Sequence, residues 1–317
     1  MNFIKIATLA LLITSVVYAD DNRDALDDLR SNIHKAVIAN TNALMVFTSQ
    51  DMISSGKYKL TNTQHDTDLH IISFPFLYHF NSDEFYNFFV QGAVGYSVME
   101  TKVSVIEDMT PDFTSFETYI AKIGGGIRLK SDYGFETLLG VSIIYSHIYN
   151  TYDFRNEFSE YYKEVFEEEF ANRSLDNISY DLYLEFAYRP EFNGWKPYAV
   201  INYNYYDTKS LSKINEFEHF TTRSSVSSIY FGCESAQLFD IYAKPITFEA
   251  YTSATLVTGD IKDSLDFEGY GEWGLLSHMY LGEDELYPIT EFYIGYSEVH
   301  ADGINGYNLG FGLSVSF

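Results

Sequence analysis

The chain has 317 residues, of which 46% are hydrophobic and 18% aromatic, and it carries a formal net charge of −25. An acid excess of that size repels phosphate backbones and excludes nucleic-acid binding. A single cysteine, Cys233, excludes an internal disulfide framework.

The first element is residues 1–19. Basic Lys5 precedes an apolar run from Ile6 to Val17, and the stretch closes on Val17-Tyr18-Ala19. That is the make-up of a secretory signal peptide cut after Ala19. The run is too short for a comfortable helical span, and no cysteine follows it to carry a lipid anchor. Its removal takes Lys5 alone among the charged side chains, leaving 19 basic against 45 acidic residues and a net charge of −26. Helical spacing follows over 24–44. Leu26, Leu29, Ile33, Ala36 and Val37 recur at three- and four-residue steps, with acids early, so residues 20–43 are expected to form an amphipathic helical segment.

From residue 44 the period changes to two. "ISYDLYLEFAYR" (178–189) places Ile178, Tyr180, Leu182, Leu184, Phe186 and Tyr188 on one face and Ser179, Asp181, Tyr183, Glu185, Ala187 and Arg189 on the other. "ITFEAYTSATL" (246–256) and "TEFYIGYSE" (290–298) alternate in the same way. Strands are expected near 46–60, 68–80, 85–105, 115–130, 135–152, 177–190, 195–208, 222–236, 242–258, 268–281, 287–300 and 305–317. Short turns rich in Asn, Asp and Gly fall at 81–84, 131–134, 191–194 and 282–285. Longer polar connections fall at 61–67, 106–114, 153–176, 209–221 and 259–267. Alternating short and long connections, strands long enough for a tilted span, and aromatic residues near the strand ends describe an all-β transmembrane antiparallel barrel of about 12 strands over 44–317.

The last expected strand, "GYNLGFGLSVSF" (306–317), puts Tyr307, Leu309, Phe311, Leu313, Val315 and Phe317 on one parity and small residues on the other. The apolar parity is expected to meet lipid. The inward parity of the barrel carries Lys122, Arg128, Glu136, Asp181, Glu185, Arg189, Glu234, Glu249, Glu272, His278 and Glu291. Within an open pore these acids would favour cations.

Chemistry is harder to place. A His-x-Ser step, which would put a base and a nucleophile on one strand face, does not occur. Ser146-His147 and Ser277-His278 are adjacent, and adjacent strand residues point to opposite faces. The histidines lack metal-ligand spacing, and Asp302-Gly303-Ile304-Asn305-Gly306 reads as a turn rather than a calcium loop. No catalytic residue, metal or cofactor is expected. Residues 156–177 carry Phe158, Tyr161, Tyr162, Val165 and Phe166 at helical spacing among glutamates. Loop 153–176 is therefore placed to dock a surface partner or to fold over the barrel mouth. The plainer alternative is a solvated loop bridged to lipopolysaccharide by divalent cations.

A signal peptide, a short helix, about twelve strands and the ending "LGFGLSVSF" together resemble the translocator barrels of autotransporters, and most of all the solitary autotransporter-type barrels, which lack a passenger. The resemblance implies a twelve-stranded barrel in outer-membrane lipid and lipopolysaccharide, with the helix in the lumen. The terminal strand resembles the signal read by the barrel-assembly machinery. Arg30, His34 and Lys35 would then meet the inward charges, and the expected role is non-enzymatic: structural, surface interaction or limited translocation. A porin-like cation channel and a barrel hydrolase are the alternatives. Asn40 and Asn42 lie where some autotransporters cleave themselves, but they lack that motif's paired Asn and read as helix C-terminal residues.

Overall fold

The computed structural model describes residues 55–61, 66–80, 85–103, 110, 112–155, 172–211, 219–265, 268–281, 289–301 and 304–315, with 157, 160, 163, 164 and 167 between them. The signal peptide, the helical segment expected over 20–43 and Phe317 lie outside these residues.

The strands are β1 (Ser55–Thr61), β2 (Asp66–His79), β3 (Tyr86–Val103), β4 (Asp112–Lys130), β5 (Phe135–Asp153), β6 (Ser174–Tyr188), β7 (Lys196–Ser210), β8 (Thr221–Glu234), β9 (Phe239–Ile241), β10 (Lys244–Gly259), β11 (Gly269–Tyr280), β12 (Ile289–Ala301) and β13 (Ile304–Val315). A short helix, α1 (Asp260–Leu265), joins β10 to β11. The three-residue β9 pairs with the start of β10, which itself pairs with both β8 and β11. β13 pairs with β1, Tyr58 lying opposite Gly306. The ring therefore closes as an antiparallel barrel of twelve strands, and β9 is a spur on the turn between β8 and β10. Neither β9 nor α1 was legible as an element, each being shorter than a periodic signal can mark.

Strand length has a physical cause. On β5, Phe135, Leu139, Val141, Ile143 and Tyr145 are exposed outward, while Leu138, Gly140, Ser142 and Ile144 are buried inward. The exposed bulky side chains span roughly the 9–11 residues that a tilted strand needs to cross a bilayer. Past Tyr145 the outward positions change character, to His147, Tyr149, Thr151 and Asp153. The strand continues beyond the bilayer into water, which is how it reaches 19 residues.

The same change inverts the hydrophobic parity. On β2, Leu69 and Ile71 are buried inside the barrel beside outward His70, whereas Ile72, Phe74 and Phe76 are exposed outside beside inward Ser73. On β4, Phe116 and Ile120 are inward and Ile123 and Ile127 outward. In the bilayer the apolar face is the outer one. Above it, water lies outside, and the apolar face turns inward to form a core of Tyr58, Met99, Ile148, Tyr206, Val226 and Tyr270 among others.

This core corrects the expectation that small and charged residues alone line the lumen. Phe220 and Ile261 of α1 join it from the connections at the loop end. Ser224 Oγ accepts a hydrogen bond from the Ile261 amide at 3.1 Å, and Asp260 accepts one from the Arg223 amide at 2.6 Å, which holds α1 over the wall.

Pairing above the bilayer also consumes residues assigned to loops. The connections at the loop end are 62–65, 104–111, 154–173, 211–220, 260–268 and 302–303, and those at the turn end are 80–85, 131–134, 189–195, 235–243 and 281–288. The contrast between ends thus rests mainly on 154–173 and is weaker than the sequence implied. Within 156–177, Glu157, Glu160, Lys163, Glu164 and Glu167 have helical backbone and Ser174 onward is strand. The hydrophobic residues of the expected loop helix lie outside the described residues.

Candidate functional site in the barrel interior

Inward side chains from neighbouring strands meet at cross-strand register, so a charge on one strand is held against its neighbour's. Lys122 on β4 reaches across inward Ser142 of β5 to Asp181 on β6, Nζ to Oδ2 at 3.3 Å, and the two side chains are 1% and 0% exposed. Toward the turn end, Glu136 accepts from Arg128 at 2.7 Å and from Arg189 at 3.0 Å. Arg189 also donates to Glu185 at 3.1 Å, and Glu185 accepts the Tyr183 hydroxyl at 2.6 Å. On this β4–β6 wall three cations face three carboxylates.

The opposite wall is acidic. Glu234 on β8 accepts from Lys196 Nζ at 3.1 Å, from the Tyr280 hydroxyl at 2.6 Å and from Thr247 at 2.7 Å. His278 on β11 lies between Glu291 Oε1, 2.6 Å from Nδ1, and Glu249 Oε2, 3.0 Å from Nε2. The Tyr198 hydroxyl donates to Glu249 at 2.5 Å, and that of Tyr251 donates to Glu272 at 2.7 Å. Four glutamates here face Lys196 and His278. Lys196 and the tyrosines Tyr198, Tyr251 and Tyr280 belong to this network and were not singled out from the sequence. Tyrosine is abundant on both parities, so nothing marked these three.

Each of these eleven side chains is held by an ion pair or hydrogen bond to another residue of the chain, and Arg189, just past the end of β6, is 40% exposed. Arg30, His34 and Lys35 lie outside the described residues. Tyr307, Leu309 and Phe311 are exposed on the outer face of β13, and Leu313 and Val315 fall within the same strand.

The geometry limits the chemistry. Both ring nitrogens of His278 are engaged by carboxylates, and with both carboxylates ionised the imidazole satisfies them with both nitrogens protonated. In that state it is a donor and has no lone pair with which to activate a hydroxyl. Ser146 is inward and fully buried, whereas His147 points outward to Asp176 at 2.8 Å, so that adjacent pair is split across the wall. Among the described residues, no group of three or more His, Cys, Asp or Glu side chains is placed to hold a metal ion.

His278→Leu removes the donor shared by Glu249 and Glu291. The expected loss is about 2 kcal/mol of stability, read as a lower urea midpoint for the folded, heat-modifiable form. An unchanged midpoint would mean that the two carboxylates are satisfied without the ring.

A family model described as the solitary outer membrane autotransporter beta-barrel domain matches residues 39–295. No curated protein matches significantly. Solved structures with the same fold include the translocator domain of the autotransporter NalP from Neisseria meningitidis, with a TM-score of 0.57 and 11% identity over 96% of this chain and 99% of that one. The transport unit of AIDA-I from Escherichia coli matches with a TM-score of 0.57 and 8% identity over 89% and 98%. The β domain of the Bordetella autotransporter BrkA matches with 0.55 and 12% over 83% and 96%.

Proposed function

This chain belongs to the family of solitary outer-membrane autotransporter β-barrel domains, and we propose that it works as a closed, non-enzymatic surface barrel whose lumen is occupied by its own residues 20–43. The observation that carries this reading is the lengthwise division of the interior. An apolar core lies in the loop half and a charged, hydrogen-bonded wall lies toward the turn end. An amphipathic segment matches such a lumen. Around its axis such a helix offers one apolar face, with Leu26, Leu29, Ile33 and Val37, and Arg30, His34 and Lys35 supply positive charge against a wall where Glu234, Glu249, Glu272 and Glu291 outnumber their partners. In this reading the outer face of β13 is what the barrel-assembly machinery reads, and loop 153–176 is the surface offered to a partner.

Single-channel recording in planar bilayers separates this from the alternative, a cation-preferring channel, which the four glutamates favour. The mature chain is expected to be silent, and a chain lacking residues 20–43 to conduct with cation preference. Equal conductance of the two would establish the channel instead. Silence of both would assign closure to the wall itself and remove the plug.

A further inference from the structure

We propose that the outer surface of the β13–β1–β2 seam, just above the bilayer on the loop side, binds the phosphorylated head of lipopolysaccharide through Lys57 and Lys59. Tyr58 is turned inward and buried, so the lysines on either side of it project outward. In the ladder Lys57 lies between Tyr307 of β13 and His70 of β2, and Lys59 lies between Asn305 and Asp68. His70 and Lys59 are exposed.

Directly toward the membrane the same surface turns apolar. Ile72 and Leu309 come first, and then Phe74 and Phe311, whose rings meet edge-on at 5.8 Å. Beside the lysines Tyr307 stacks with Tyr296 at 6.5 Å, the kind of amphipathic ring that settles at the headgroup level. One continuous strip therefore presents acyl-chain surface, then an aromatic belt, then two ammonium groups two residues apart. A lipid with several chains and phosphates at its glycan base has the complementary order.

The charge context gives the second argument. The protein carries a net charge of −25; on the loop side Arg223 is matched by Asp207 and Arg155 by Asp153, whereas Lys102 and Lys209 stand singly and Lys57 and Lys59 stand as a pair on one face. Among the described residues neither Lys57 nor Lys59 forms an ion pair. Asp68 faces Lys59 in register, while Glu298 beside Tyr307 is already engaged by the Tyr296 hydroxyl and by His300. Two unmatched lysines on an acidic protein, at the height where an anionic leaflet begins, gain most from phosphate. The long connection 154–173 marks this side as the outer one, where the anionic lipid is lipopolysaccharide.

The test is a titration of the refolded mature chain in neutral micelles with bisphosphorylated lipid A, dephosphorylated lipid A and phosphatidylglycerol, read by Trp fluorescence and by the temperature at which the heat-modifiable form is lost. Saturable binding and a raised transition are expected with bisphosphorylated lipid A alone. At about fivefold for each basic residue at an anionic surface, K57Q/K59Q is expected to bind about 30-fold more weakly. Lys209→Gln, on the outer face of β7, is expected to bind as the parent does. K57R/K59R keeps the charge and is expected to keep the affinity. If K57Q/K59Q does not fold, Lys59→Gln alone carries the test with about a fivefold loss. Undiminished affinity in the lysine variants, or equal response to phosphatidylglycerol or dephosphorylated lipid A, would overturn the site. Either result leaves the plugged-lumen reading untouched.

Discussion

Lys122→Met is expected to lower the stability of the barrel by about 3–5 kcal/mol, far more than any surface ion pair would. The reason is burial rather than attraction. Lys122 and Asp181 are 3.3 Å apart with side chains 1% and 0% exposed, so removing the ammonium takes a counter-charge from a carboxylate that is shielded from water. Arg223 and Asp207 make a useful contrast, because they are also 3.3 Å apart but their side chains are 69% and 27% exposed. Arg223→Ala is expected to cost at most about 0.5 kcal/mol, since an exposed pair gains little over its hydrated parts. Replacing both buried partners, as K122M/D181L, is expected to recover most of the loss, because the desolvation cost of both charges disappears together. Urea titration of the folded form in vesicles measures all three. Equal midpoints for the Lys122 and Arg223 variants would mean that the Lys122 site is hydrated, and a double variant as weak as the single one would mean that the pair contributes net stability.

The closed twelve-stranded barrel was legible because the bilayer imposes one rule on every strand that crosses it. On β6, Tyr180, Leu182 and Phe186 are exposed outward while Asp181, Tyr183 and Glu185 are buried inward, and no change of surroundings interrupts that pattern within the membrane. Parity was also the ground on which the eleven charges were expected to face inward, since it places a side chain on one face or the other. The apolar core of the loop half was not legible. Its residues lie on the opposite parity to the lipid-facing ones, so Leu69, Ile71, Ile72 and Phe74 read as a broken strand rather than as one strand passing from water into lipid. Runs such as Ile143-Ile144-Tyr145, apolar on both parities, hide the same switch on β5. The point where parity inverts is itself a signal, and it marks the outer edge of the bilayer. The partners of each charge were beyond reach, because register decides whether Arg128 meets Glu136, and register comes from pairing rather than from pattern.

Gly126→Val is expected to abolish assembly of the barrel, and Gly126→Ala to cost about 3 kcal/mol. Gly126 is an inward residue of β4 paired with Gly140 of β5 and Phe89 of β3. A Cβ at Gly126 would overlap the Leu139 carbonyl oxygen and stand 2.6 Å from the Gly140 Cα. Both obstacles are main chain, so no rotamer change relieves them, and the ladder between β4 and β5 has to open. Gly140 also leaves room for the Phe89 ring. A Cβ on Gly140 would sit 2.8 Å from its Cζ, and Phe89 closes with Leu138 and Tyr183 into the interior cluster nearest the turn end. Gly126 thus sets how closely β4 and β5 approach, and Gly140 beside it leaves the space that the Phe89 ring fills. Gly271 on β11 is the control, since a Cβ there meets nothing nearer than 3.8 Å. Gly271→Ala is expected to fold with stability within about 0.5 kcal/mol of the parent. The measurement is the fraction of heat-modifiable barrel after refolding at matched lipid and protein concentrations. A Gly126→Ala yield and midpoint equal to those of Gly271→Ala would show that β4 and β5 are free to separate at this point, and that the close approach is not what holds Phe89 in place.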